Sequence, residues 1–305
     1  MNKTMDVFSK IIKSSLEVHL GKNTSVSINK VTKNNGLVLT AVTIKNNDSN
    51  LAPNIYLDSH LIDYNYGKPI TAIIDDILKI YKNQKTINNF DVSTITDFHK
   101  INNNICCKLV NAEKNKQFLS NAPHKLIHDL AIVFYIIVER NDDYNTVIEV
   151  TNDIFSNWNI TLEQLNDLAF KNTMRIHKES IITASELMKE FIQANMLDEK
   201  DLLDFILDNT VCPMFVVTND YKVNGAITMF YDNLMKRFAK KIGGSFYILP
   251  SSVHETLFIP FSKDIDIEYL YDMVRDVNKT AISEEEYLSD SVYYYDVNTN
   301  SFGIA

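Results

Sequence analysis

The stretch 245–259, Ser-Phe-Tyr-Ile-Leu-Pro-Ser-Ser-Val-His-Glu-Thr-Leu-Phe-Ile, sets the architecture. Two apolar runs, Ser245–Leu249 and Thr256–Ile259, flank a polar turn, Pro250-Ser251-Ser252-Val253-His254-Glu255. Apolar runs this short joined by so short a turn pair antiparallel, since parallel strands need a long crossover. Behind them Ile267, Leu270, Tyr271, Val274 and Val277 recur at helical spacing, so a helix is expected to cover one face of the pair.

The same order is read twice upstream. Leu130–Glu139 and Thr146–Thr151 are joined by 140–145 and followed by a helix from Thr161, where Thr161-x-x-Gln164 is a capping-box pattern. Met214–Thr218 and Ala226–Tyr231 flank a polar turn and lead into a helix at Asn233–Ile242, which should stop at Gly243. Val-Thr-Asn-Asp occurs at 150–153 and again at 217–220, too short an identity to establish a duplication. The N-terminal stretch reads differently. Phe8, Ile11, Ile12 and Leu16 share a helical face, and an Asn34-Asn35-Gly36 turn joins strands at Ser25–Val31 and Leu37–Lys45. A short strand follows at Asn54–Leu57, and Ile70, Ile73, Ile74, Ile77, Leu78 and Tyr81 mark a closing helix. The expected fold class is α+β: antiparallel hairpins, each followed by a helix, in two abutting modules. Residues 1–85 form the first and 105–305 the second, with a polar boundary at 83–104. A helical insert at about 183–208 opens on Thr183-x-x-Glu186, another capping box, followed by Leu187, Met188, Phe191, Ile192 and a second helix from Asp198.

Charge and composition narrow the function classes. The 30 basic and 39 acidic residues leave a net charge of −9, which phosphate backbones repel, so direct nucleic-acid binding is not expected. Lys236-Arg237 and Lys240-Lys241 read as the solvated face of an amphipathic helix. The longest apolar run, Leu130–Val138, is too short to cross a bilayer, and the N-terminus lacks a signal-peptide apolar block. A cytoplasmic protein is expected. Three cysteines, two of them the adjacent Cys106 and Cys107, cannot build a disulfide framework and read as buried thiols. The seven glycines never fall into a phosphate-binding pattern, so no cofactor is expected.

Several residue groups have the composition for chemistry. His124 and His128, four apart, have metal-ligand spacing on a helix, but the neighbouring run reads as a strand and no third ligand is in register. His254-Glu255 begins a zincin signature, but Phe258 stands where the second histidine belongs. No metal site is expected. The carboxylate pairs Asp75-Asp76 and Asp142-Asp143 and the run Glu284–Glu286 read as solvated acids near helix starts. In the Pro250–Glu255 turn, Ser251 or Ser252 could approach His254, with Asp290 supplying a carboxylate; this is the hydrolase reading. No nucleophile elbow accompanies it. The alternative is a proline-initiated turn whose polar groups satisfy the backbone and whose surface binds a partner. The binding residues are then Pro250, Ser251, Ser252, His254 and Glu255, with Ser289, Asp290 and Tyr293 from the later Leu288–Tyr293 segment. Tyr293-Tyr294-Tyr295 reads as a last strand, packing on a helix or anchoring an interface.

Phe246-Tyr247-Ile248-Leu249-Pro250-Ser251-Ser252-Val253-His254-Glu255 resembles a signature of the bacterial family called domain of unknown function 5688. Leu288-Ser289-Asp290-Ser291-Val292-Tyr293 and Asp129-Leu130-Ala131-Ile132-Val133-Phe134-Tyr135 are similar to it too, as are Lys33-Asn34-Asn35-Gly36 and Pro53-Asn54-Ile55-Tyr56-Leu57. The resemblance covers nearly the whole chain. It implies a low-GC Gram-positive source, often with genes on mobile elements, and it implies no activity or catalytic residue. The favoured expectation is a non-enzymatic cytoplasmic binding or accessory protein with a protein partner, and the resemblance suggests mobile elements or counter-defence as its setting. A Ser/His hydrolase built on the turn and an acidic mimic of DNA are the alternatives.

Overall fold

In the computed structural model the first helix, α1 (Met5–Leu20), buries Phe8, Ile12 and Leu16 as one stripe. Residues 4–46, 52, 54–83, 93–140, 145–186 and 213–305 are described. The fold is α+β, and the chain divides into two units, Met1–Ser93 and Thr94–Ala305.

In the first unit, β1 (Thr24–Thr32) pairs antiparallel with β2 (Val38–Asn46) from Thr24↔Asn46 to Thr32↔Val38. The turn between them places Asn35 at φ 60° and Gly36 at φ 74°, the left-handed pair that an Asn-Gly turn tolerates. β3 (Asn54–Tyr56) pairs with β2, so the sheet order is β1-β2-β3. The helix α2 (Asp58–Asn65) was not expected; it has no fully buried residue and only Leu61 and Tyr64 packed against the core, so its apolar signal is thin. The helix α3 (Ile70–Asn83) buries Ile73, Ile74 and Ile77. Together with Val26, Val42, Ile44, Ile55 and Leu57 these helices close one core.

The second unit holds two sheets. In the first, β6 (Leu130–Arg140) has β4 (Ile105–Asn111) on one side. Its length lets two short strands, β5 (His124–Ile127) and β7 (Asn145–Glu149), pair with successive parts of it. Leu130 to Ile137 are all buried, so the run carries no alternation. The helix α4 (Leu162–Ile176) starts with the expected capping box: Thr161 accepts from the Gln164 N–H, and Gln164 accepts from the Thr161 N–H. It packs on β4, where Thr173 Oγ1 accepts the Cys107 N–H at 3.0 Å. Cys106 and Cys107 are both buried, and burial pushes their thiols up to about 11 and about 12.

The second sheet has six strands in the order β13-β12-β10-β11-β9-β8, all antiparallel. They are β8 (Glu179–Thr183), β9 (Phe215–Asn219), β10 (Phe246–Pro250), β11 (Thr256–Pro260), β12 (Tyr293–Asp296) and β13 (Ser301–Ile304). The helix α6 (Ile267–Thr280) covers Tyr247, Leu249, Ile259 and Val292 on one face. On the other, Phe238 of α5 (Leu234–Ile242) meets Phe246 and Phe258 edge-on at 4.9 and 5.1 Å. The helix α5 stops at Gly243 in the left-handed conformation, φ 81°, as expected. Arg237 forks onto Glu179 of β8.

Two expectations need correction. The Ala226–Tyr231 run is not a strand but a 3-10 helix, Gly225–Phe230. A Cβ on Gly225 would lie 2.2 Å from Thr218 Oγ1 and 2.4 Å from the His254 carbonyl, so the chain turns tightly there. Residues 225–229 are buried all round, which hides any period. Of the three hairpin units, β6–β7 and β10–β11 therefore stand, while β9 pairs with β8 and β11. The tyrosine strand β12 is not the last, since β13 follows it and lies outside it in the sheet. His124 and His128 sit on β5 and in the turn after it, in keeping with the strand reading of their neighbourhood. In the insert, Thr183 and Glu186 make their reciprocal cap, and its remainder (187–208) lies outside the described residues.

Candidate functional site

The β10–β11 hairpin carries the Pro250–Glu255 turn, and β12 runs beside β10 with Ile248 opposite Tyr293. The 246–255 and 288–293 segments therefore meet in one corner. Inside the turn, the Ser252 N–H donates to the Glu255 carbonyl at 3.2 Å and the His254 N–H donates to Ser252 Oγ at 3.0 Å. Ser251 Oγ donates to Glu255 Oε1 at 3.3 Å. The turn is also anchored from outside: Thr218 Oγ1 donates to the His254 carbonyl at 2.7 Å, and the Val253 N–H donates to the Glu286 carbonyl at 2.9 Å.

The His254 imidazole accepts the Asn224 N–H at its Nδ1, at 3.1 Å. A neutral ring so bonded carries its proton on Nε2, which lies 3.6 Å from Glu286 Oε1. The carboxylate facing His254 is thus Glu286. Asp290 instead accepts from Asn278 Nδ2 at 2.8 Å and lies beside Tyr287, whose hydroxyl burial pushes up to about 12. Of the residues singled out in the sequence, Pro250, Ser252, Ser289 and Tyr293 are buried, Ser251, His254 and Glu255 are half-buried, and Asp290 is exposed.

Ser289 and Tyr293 belong to a second cluster. Asp129, in the two-residue turn between β5 and β6, accepts from Ser289 Oγ at 2.5 Å, Ser291 Oγ at 3.1 Å and Tyr293 Oη at 2.7 Å. The preceding His128 takes φ 54°, and its ring lies against Tyr293 and Phe302. Asn111 Nδ2 donates to the Leu288 carbonyl at 2.9 Å. Burial, with the Asp129 charge second, drives the Tyr293 hydroxyl far above its usual range.

Residues 5–297 match the model of the family of unknown function DUF5688. The chain belongs to this family. No curated protein and no solved structure matches it. In this DUF5688 chain, Asp129 and the 288–293 segment, 160 residues apart at the Ser289 bond, form one polar knot. Sequence reasoning missed Glu286, Asn224, Gly225 and Thr218 as partners of the turn. Asn224-Gly225 is a turn signal in its own right, but nothing in the order of residues says which turn it will face. Among the described residues no helix is long and apolar enough to cross a membrane, and no cluster of three or more His, Cys, Asp or Glu side chains could hold a metal.

Proposed function

We propose that this DUF5688 chain is a non-enzymatic binding or accessory protein that recognises a protein partner. The supporting observation is how the signature turn uses its polar groups. Ser251 bonds to Glu255, Ser252 caps the His254 N–H, and His254 Nδ1 is filled by the Asn224 N–H. A serine hydrolase needs its imidazole free to take the hydroxyl proton, and here that nitrogen is already bonded to backbone. The turn is built as a rigid corner whose half-exposed rim is Ser251, His254 and Glu255.

The acidic surface supports the binding reading better than mimicry of DNA. Carboxylates of the second unit are interleaved with cations: Glu149 with Lys108, Glu179 with Arg237, Asp97 with Lys100 and Asp272 with Arg275. Interspersed pairs break the continuous stripe that a phosphate mimic needs.

A fluorophosphonate probe should leave Ser251 and Ser252 of the full chain unlabelled. Labelling that vanishes in Ser251→Ala or Ser252→Ala would overturn this reading in favour of the hydrolase.

A further inference from the structure

We infer that the partner docks through an arginine- or lysine-bearing segment on exposed Phe261, backed by half-buried Tyr294 and buried Tyr247, at the Ser245 end of the six-stranded sheet. This rests on the binding reading above and names the surface and the chemistry of the partner.

The three rings come from three separate elements. Tyr247 on β10 is opposite Tyr294 on β12, and Phe261 follows β11, its N–H donating to the Ser245 carbonyl at 2.9 Å. The ring centroids lie 5.4 Å (Tyr247–Tyr294), 5.8 Å (Tyr247–Phe261) and 5.8 Å (Phe261–Tyr294) apart. On the same face, α6 covers Tyr247, Leu249, Ile259 and Val292. At the Ser245 end that cover gives out, and Phe261 is 45% exposed, with Tyr294 half-buried behind it. Folding leaves this ring partly in water at the edge of the covered core. Tyrosine and phenylalanine at the centre of a patch are the residues that anchor protein interfaces.

Charge selects the occupant. The segment after Phe261 carries Asp264, Asp266 and Glu268, all exposed, against Lys263, and Asp296 follows Tyr294 on β12. Hydrogen bonds from the Asn298 backbone hold the Asp296 carboxyl below its usual range. An aromatic face attracts a cation through its ring quadrupole, and a carboxylate rim adds steering and orientation. Arginine suits both, because its planar guanidinium stacks on rings and forks onto carboxylates.

The test titrates the full chain with a fluorescent alternating arginine–glycine peptide, beside citrulline–glycine and glutamate–glycine controls. The arginine peptide should bind and the two controls should not. Phe261→Ala, an exposed position, should weaken binding about tenfold, and Asp264→Asn with Asp266→Asn should weaken it further at low salt. Equal binding by wild type and Phe261→Ala would overturn the proposal, as would no binding at millimolar peptide. So would a wild-type dimer in sedimentation that Phe261→Ala dissolves, since the occupant would then be a second copy. Failure here with an unlabelled Ser251 and Ser252 leaves the non-enzymatic reading standing.

Discussion

Asp129 sits in a tight turn, yet its carboxylate takes three hydroxyl donors from one downstream segment. Asp129→Ala strands those donors in a half-buried knot and should cost about 3 kcal/mol in chemical denaturation, since hydrogen bonds to a charged group are the strong ones. A loss under 1 kcal/mol would show that water replaces the carboxylate freely. Gly225 is fixed by space: its missing Cβ would collide with Thr218 Oγ1 and the His254 carbonyl. Gly225→Ala should therefore destabilise by about 3 kcal/mol. Thr218→Ala, which removes the side-chain clash, should not restore it in the same chain, because the His254 carbonyl is backbone and cannot step aside. At this scale the sequence marked Ser252, His254 and Tyr293 as worth attention, but their partners lie far along the chain. Glu286 took the place beside His254 that Asp290 was expected to fill, because the Val253 N–H to Glu286 carbonyl bond brings that segment over the turn.

Among the elements, α4 shows how far local signals reach. Its Thr161–Gln164 capping box satisfies two orphan N–H groups in the first turn, and it was legible because both partners lie three residues apart. Thr161→Ala should cost about 1 kcal/mol, read as a shift in the denaturation midpoint at unchanged slope. An unaltered midpoint would mean that packing of Leu165 and Ala169 holds this end without the cap. The Asn35-Gly36 hairpin and the Gly243 stop were readable for the same reason, since positive φ is a property of one or two residues. The 3-10 helix at 225–230 was not. A run buried on all sides has no polar face to reveal its period, and the close approach of Gly225 to β9 and the turn is a tertiary contact that no local pattern announces.

For the whole molecule, the first unit has a closed core of its own, from Phe8 to Ile77. Residues 1–93 expressed alone should unfold in one cooperative transition; a broad, probe-dependent melt would show that this core is incomplete by itself. Acid sensitivity should come partly from two histidines. Burial lowers the His177 pKa, with Arg140 assisting, and its Nδ1 has no hydrogen-bond partner among the described residues. Burial also lowers His60, although Asp76 opposes it. A depressed histidine stays neutral in the folded state while the unfolded chain takes up a proton near 6.5, so this contribution is whole above that value. It should be lost as pH falls from about 6.5 towards the lower folded values. His177→Gln should flatten the stability profile between pH 7 and 5 for the second unit only; an unchanged slope would show that His177 protonates in place. What the order of residues determined by itself was the α+β class, the β1–β2, β6–β7 and β10–β11 hairpins, the caps and the polar character of the 250–255 turn, because each depends on neighbours within a few positions. Only the tertiary structure decided that Asp129 meets the 288–293 segment, that Glu286 faces His254, and that Phe261 is left partly in water. Those contacts join residues tens to more than a hundred positions apart, and no local preference encodes which of many compatible surfaces will meet.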